Sequence, residues 1–261
     1  METINESAEK NKIDYGLVSI VMPNYNAENF IEASVKSVLN QTYGNWELLF
    51  VDDCSSDNSL NIIKSFADDR IKIYSTPKNL GAAAARNLAI ENAAGKYIAF
   101  LDSDDLWMPD KLQKQISFME KNDFPFSFTD YKVVTKNGGK TVLYRSPKDF
   151  CDYGDVLKHN LIGCLTAVYN AEKLGKNFMP EQAVKREDFA CWLAILKKGV
   201  KAHCLHEYLA KYIIHSDSVS ACKSKMIKYQ WNVYRNVEKL SFFKSVYYML
   251  NWAISGIFKY H

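Results

Sequence analysis

Three acids in four residues, Asp102, Asp104 and Asp105, close the apolar run KYIAFLDSDD (96–105). Carboxylates at i and i+2 at the end of a strand point the same way and can share one cation. Mg2+ and Mn2+ take oxygen ligands and leave room for water and phosphate in the octahedron. Such a cation neutralises charge as it develops on a departing phosphate. An acidic turn is the bland alternative for a lone Asp-x-Asp. Two more acids, Asp52 and Asp53, end WELLFVDD (46–53), where the alternative is a capped turn built on Cys54-Ser55-Ser56-Asp57. Pro23-Asn24-Tyr25-Asn26 ends the first apolar run, LVSIVMP (17–23). Arg86, in GAAAARN, offers a cation for phosphates or for these acids. Glu187 and Asp188 open REDFACWLAILKKG (186–199) and supply a carboxylate for proton transfer, or merely a favourable charge at a helix start.

These residues need elements to aim them. LVSIVMP, WELLFVDD, RIKIYS (70–75) and KYIAFLDSDD read as strands. Helical patterns separate them: Ala27 to Asn40, a segment after Asp57 carrying Leu60, Ile62, Ile63 and Phe66, and alanine-rich Gly81 to Ala93. Strand–helix alternation predicts an α/β fold with a mostly parallel sheet flanked by helices. Such sheets bind ligands beyond the carboxyl ends of their strands, where the acids and Tyr25 fall. A helix starting near Gly81 would also turn its free N–H groups toward that crevice. Further on, a helix is expected from Asp110 to Lys121. FPFSFTDYKVV (124–134) and KTVLYR (140–145) should pair through Asn137-Gly138-Gly139. CLTAVYN (164–170) and HCLHEYLAKYIIH (203–215) read as strands, 186–199 as a helix stopped by Gly199, and everything from Ala221 onward as helix.

With these residues in place, VSIVMPNYNAENFIEASVKSVLNQTYGNWELLFVDDCSSDNS, NLGAAAARNLAI and GKYIAFLDSDD resemble glycosyltransferase family 2, densely over 17–107 and more thinly to about 220. The resemblance implies a GT-A (Rossmann-like) fold and inverting transfer of a hexose from a nucleotide-diphosphate sugar, a UDP-sugar foremost, to a saccharide acceptor. It places Pro23, Tyr25 and Asn26 near the base, with Tyr25 as a stacking wall unless it simply packs at the strand end. Asp52 or Asp53 would contact base or ribose, and Arg86 and Ser103 would serve the nucleotide site. Asp102 would lie near the ribose and metal, Asp104 would ligate Mn2+ or Mg2+, and Asp188 would be the base. His215, in HSDSVS, matches a late motif at the metal or diphosphate, but Ile213 stands where the family commonly has an arginine. A structural histidine is the competing reading. Trp107 is assigned to the sugar site or to the core. His203 and His206 read as structural, without partner acids in order. A nucleotidyltransferase and a non-catalytic sugar-nucleotide-binding scaffold are the competing functions.

The chain of 261 residues divides on this reading into a polar tail (1–15), a catalytic domain (16–220, its nucleotide half 16–107 and acceptor half 108–220) and a helical tail (221–261). A net charge of +3 gives no case for nucleic acid. The tail concentrates what basic excess there is: seven Lys or Arg against Glu238 alone over 222–261. Leu240, Phe243, Tyr247, Leu250, Ile254 and Ile257 form a helical stripe within it, suited to anionic lipid. The polar start predicts no signal peptide, and no apolar run reaches the ~20 residues a bilayer needs. Six scattered cysteines without a CxxC pair predict free thiols. The expected location is cytoplasmic, peripheral on the inner membrane face, beside a lipid-linked acceptor.

Overall fold

The computed structural model describes residues 13–135, 140–214 and 223–258. Its first half alternates as the patterning predicts: β1 (Val18–Asn24), α1 (Ile31–Leu39), β2 (Trp46–Asp52), α2 (Ser59–Lys64), β3 (Ile71–Ser75), α3 (Ala82–Asn92) and β4 (Tyr97–Phe100). Then come β5 (Leu106–Trp107), α4 (Lys111–Asn122), β6 (Phe126–Thr135), β7 (Thr141–Tyr144), β8 (Phe150–Cys151), α5 (Tyr153–Lys158), β9 (Val168–Asn170) and α6 (Ala171–Leu174). The chain continues through α7 (Glu187–Leu196), β10 (Ala202–Ile214), α8 (Lys223–Asn232) and α9 (Phe242–Phe258).

The strands form one sheet in the order β3-β2-β1-β4-β9-β6-β10-β5, with β7 beside β6 and β8 beside β10. Strands β1 to β4, β6 and β10 all run the same way; the short β5, β7, β8 and β9 run against them. The long strands therefore end on one edge. Every residue of β1, β2 and β4 is buried, as apolar runs covered on both faces require. One face packs Val21, Leu49, Ile98 and Phe100 against α3, α5 and α7. The other packs Ile20, Leu48, Phe50 and Ala99 against α1 and α4. Gly95 enters β4 so close to β1 that a Cβ would lie 2.6 Å from the Ser19 nitrogen, so glycine is required there.

Several expectations are revised. Strand β4 stops at Phe100, and Leu101 to Asp105 form the connection to β5, which frees the acidic carboxylates from strand alternation. CLTAVYN splits into a 3-10 turn (Cys164–Thr166) and β9, because the turn closes a Thr166 N–H to Gly163 O bond. Trp107 is core: it is 4% exposed and its indole N–H donates to Leu165 O at 2.9 Å. The tail is two helices, not one. Helix α8 widens into a π turn at Val233–Val237, and Lys239, at φ +52°, reverses the chain into α9. The Asn137-Gly138-Gly139 connection, His215 and Cys222 lie outside the described residues. The other five cysteines are free thiols.

Candidate active site

The crevice is built on the edge where β1, β2 and β4 end. Asn24, the last residue of β1, donates to Asp52 Oδ1 at 2.9 Å and to Ser55 Oγ at 3.1 Å. Asp52 also accepts from the Ser55 N–H and hydroxyl. Asp53 accepts from Thr76 Oγ1, the Leu80 N–H and the Gly81 N–H. Both carboxylates are buried and shape the loops around them, the capped-turn alternative, with three hydrogen bonds each. A carboxylate has about four acceptor sites, so one remains on each for a ligand N–H or O–H. Pro23 is buried in β1, and Tyr25 beyond it is 53% exposed, so its ring is not a packing element. Asn26 adopts φ +50° and its side-chain oxygen accepts from the Ser56 N–H, holding the Tyr25 turn against the 53–57 loop. Gly81, at φ +89°, opens α3 without a side-chain cap, so the first amides of that helix stay available to an anion.

Arg86, on the second turn of α3, ties two distant parts of the chain together. Its guanidinium donates to Asp102 Oδ1 at 2.6 Å and to Glu187 Oε1 at 3.0 Å. Burial opposes its charge, yet Asp102 and Glu187 hold the guanidinium well above its ordinary range. This fork joins the acidic loop after β4 to the start of α7, 85 residues away in sequence between Asp102 and Glu187. Asp188 is the next residue. Burial and the neighbouring Glu187 push its carboxyl above the usual carboxylate range, against the pull of Arg86 and Arg186. Cys164 lies within electrostatic reach of Arg86, Asp102, Asp188 and Glu187, with burial and the acids raising its thiol.

On the acidic loop, Ser103 is buried and its carbonyl accepts from Ser34 Oγ, which fixes the loop to α1. Asp104 borders a cleft of about 250 Å3 lined by Phe30, Ser34, Leu106, Thr135 and Ile213. Asp105 is 1% exposed and accepts from the Ile213 N–H at 3.0 Å. Burial and the charges of Asp104 and Asp102 push it well above the carboxylate range. On this loop Arg86 pairs with Asp102 alone, and the donors that the loop offers are all oxygens. A hard divalent cation at Asp102 and Asp104 fits that donor set, and Arg86 engages only one oxygen of Asp102.

The structure therefore brings together Pro23, Tyr25, Asn26, Asp52, Asp53, Arg86, Asp102, Ser103, Asp104 and Asp188 on one edge of the sheet; His215 lies outside the described residues. Two roles were not assigned from the sequence. Glu187 is the second arm of the Arg86 fork, and Asp105 ties the end of β10 to the acidic loop. Both residues stand out in the sequence as acids, but nothing in it names their partners. His206 corrects another expectation: its ring sits between Asp130 and Asp149 and does have partner acids.

The profile of glycosyl transferase family 2 matches residues 19–173. A 43% identical relative is WfgD of Escherichia coli, named as a UDP-Glc:alpha-D-GlcNAc-diphosphoundecaprenol beta-1,3-glucosyltransferase; the match covers 95% of this chain and 96% of WfgD. Among solved structures, TarS of S. aureus in complex with UDP-GlcNAc superposes with a TM-score of 0.67 at 18% identity, over 84% of this chain and 66% of TarS. The mannosyltransferase PcManGT of Pyrobaculum calidifontis, in complex with GDP-Man and Mn2+, gives 0.66 at 16% identity, over 88% of this chain and 66% of PcManGT. At such identities the likeness shows the fold, and about a third of each solved chain has no counterpart here.

Proposed function

Because the chain belongs to glycosyl transferase family 2, and is a glycosyltransferase of GT-A fold, we propose that it moves a hexose from a UDP-sugar to a lipid-linked saccharide, with inversion, in surface-polysaccharide synthesis. The observation that carries the reading is the Arg86 fork, which gathers Asp102, on the acidic loop with Asp104, and the Asp188 region of α7 around one crevice. Donor and acceptor chemistry need those two groups on opposite sides of a sugar. Inversion requires one base, on the face away from the leaving diphosphate, to take the acceptor hydroxyl proton as its oxygen attacks the anomeric carbon. Asp188 is assigned that task; its raised affinity for protons makes it a better base than a free aspartate. Tyr25 stacks the uracil, and the remaining acceptor sites of Asp52 and Asp53 take base or ribose donors. Asp102 and Asp104 would hold Mn2+ or Mg2+, with His215 as a further ligand, and the cation would supply charge neutralisation at the diphosphate. Ser103 keeps that loop in register. The name of WfgD, with its lipid diphosphate acceptor and UDP-Glc donor, supports the acceptor class and makes UDP-glucose the first donor to test.

The test is a donor titration. Purified protein is heated with UDP-, GDP- and dTDP-sugars, with Mn2+ and then with EDTA. A UDP-hexose at about 100 times its Kd should stabilise the fold by ~2.7 kcal/mol, and EDTA should abolish the effect. Release of UDP, not pyrophosphate, excludes a nucleotidyltransferase. No response to any nucleotide overturns the reading, and stabilisation without release of UDP favours the sugar-nucleotide-binding scaffold.

The tail supports a membrane location for the acceptor. Helix α9 turns one face inward, where Tyr248 and Met249 pack on the core and the Trp252 ring lies 5.5 Å from the Arg186 guanidinium, two residues from Asp188. The opposite stripe stays outside: Phe243 is 84% exposed and Leu250 59%, with Tyr247 and Ile254 beside them and exposed Lys239 and Lys244 at the same end. Leu240 departs from the expected stripe and packs inward. No helix among the described residues is long and apolar enough to cross a membrane. We expect vesicles containing anionic lipid to float the protein. The pair Phe243→Asp and Leu250→Asp should return it to the soluble fraction without loss of fold. Equal flotation of both proteins would remove α9 from this role.

A further inference from the structure

Away from the crevice, three side chains with different ligand chemistry converge on the face of the sheet that packs against α5 and α7. Strand β6 contributes Asp130, and β10 contributes Cys204 and His206. In register, Cys204 pairs with Phe128, which puts Cys204 and Asp130 on the same face. His206, two residues beyond Cys204, shares its face by strand alternation, and the register up to Leu205–Thr129 sets it beside Asp130 before the ladder slips between Leu205 and Ala210. The Cys204 sulfur lies 3.6 Å from Asp130 Oδ1 and 3.6 Å from His206 Nδ1, and that nitrogen lies 3.3 Å from Asp130 Oδ2. Tetrahedral Zn2+ with bonds of about 2.3 Å to sulfur and about 2.0–2.2 Å to nitrogen and oxygen requires ligand separations of about 3.3–3.6 Å. The sulfur–nitrogen edge matches, and the Asp130 carboxylate meets each of the other two at a matching distance, through Oδ1 to the sulfur and Oδ2 to the nitrogen.

The surroundings favour a cation over a simple hydrogen-bonded triad. Asp149 Oδ1 lies 3.0 Å from His206 Nε2, so a ring proton held at Nε2 would have a carboxylate partner and would leave the Nδ1 lone pair facing the sulfur. Asp130 is held by the Ser146 N–H at 2.8 Å, and the Cys204 N–H donates to the Asp149 carbonyl at 2.7 Å. Asp130 and Cys204 are almost wholly buried while His206 reaches solvent, so the site has fixed ligands and an entry path.

We propose that Asp130, Cys204 and His206 form a second metal site, distinct from the Asp102–Asp104 site, for a borderline cation of the Zn2+ type with water in the fourth position. Thiolate and imidazole favour Zn2+ over Mg2+ or Mn2+. Binding replaces the S–H proton of Cys204, which leaves to solvent, and forms the metal–sulfur bond. The metal would pin the bulge of β10 to β6 and the 146–151 segment, on the strand whose far end meets Asp105.

The test uses the full chain. Stripped protein is titrated with Zn2+ and then with Co2+, whose thiolate complex absorbs in the near ultraviolet. One thiolate-bound metal per chain, seen as a saturating thiolate-to-cobalt band, is expected. Cys204→Ser should remove the band and Asp104→Asn should keep it, which separates this site from the donor site. Asp149→Asn, at a side chain 90% exposed that cannot disturb the core, should weaken binding about 10–100-fold. Absence of the band and of stoichiometric zinc in folded wild-type protein overturns the proposal and leaves a hydrogen-bonded triad.

Discussion

Asp188→Asn should bind the UDP-sugar as the parent does and lose transfer by about 10²–10⁴-fold, the usual contribution of a positioned base. The substitution keeps the shape of the side chain and removes only its capacity to take a proton. Thermal stabilisation by donor and metal should therefore survive, while kcat collapses. The pH dependence gives an independent check. A base works only when deprotonated, so the rate falls as pH drops through its pKa. Burial and Glu187 raise that pKa, so the acid limb must lie above the ~3.9 of a free aspartate, and it must be absent from the residual activity of Asp188→Asn. Rate profiles of the two proteins at saturating donor decide the matter. Unchanged transfer by the variant removes Asp188 from the role.

How much of this was legible in the sequence follows physical lines. Strands β1, β2 and β4 were legible because burial on both faces leaves unbroken apolar runs, and runs ending in polar residues fix the edge of the sheet where ligands gather. The short antiparallel β9 was less so: three residues give no period, and its pairing with β4 and β6 is a long-range choice. The break between α8 and α9 was hidden because a left-handed lysine, Lys239, does the work usually signalled by glycine. At the site, acids were legible as acids but not by partner. Asp52 and Asp53 look alike in sequence, and yet one fastens the Ser55 turn while the other fastens the entry to α3. The Asp130–Cys204–His206 cluster was out of reach because it depends on the pairing and register of β6 with β10, a long-range choice that no local residue pattern announces.

The largest structural effect is expected at Arg86. Its side chain is 8% exposed and its two carboxylate partners are 29% and 12% exposed, so solvent screens the cluster weakly. Arg86→Met leaves Asp102 and Glu187 facing each other without a counterion, and removing one partner of a buried pair costs about 3–5 kcal/mol. Arg86→Lys should recover little of this, since one ammonium cannot reproduce a planar fork reaching two carboxylates. Stability and catalysis should then separate. Adding Glu187→Gln to Arg86→Met removes one stranded charge, and denaturant melts should show part of the stability returning as a coupling energy between the two sites. Transfer should not return, because Asp102 still lacks the group that orients it. The single variant Arg86→Met, which keeps Glu187, tests the electrostatics of the base: Arg86 pulls the Asp188 pKa down, so its loss should move the acid limb of the residual rate profile to higher pH. A limb that stays in place, with stability and rate falling together, would mean that Arg86 only holds α7 to the sheet.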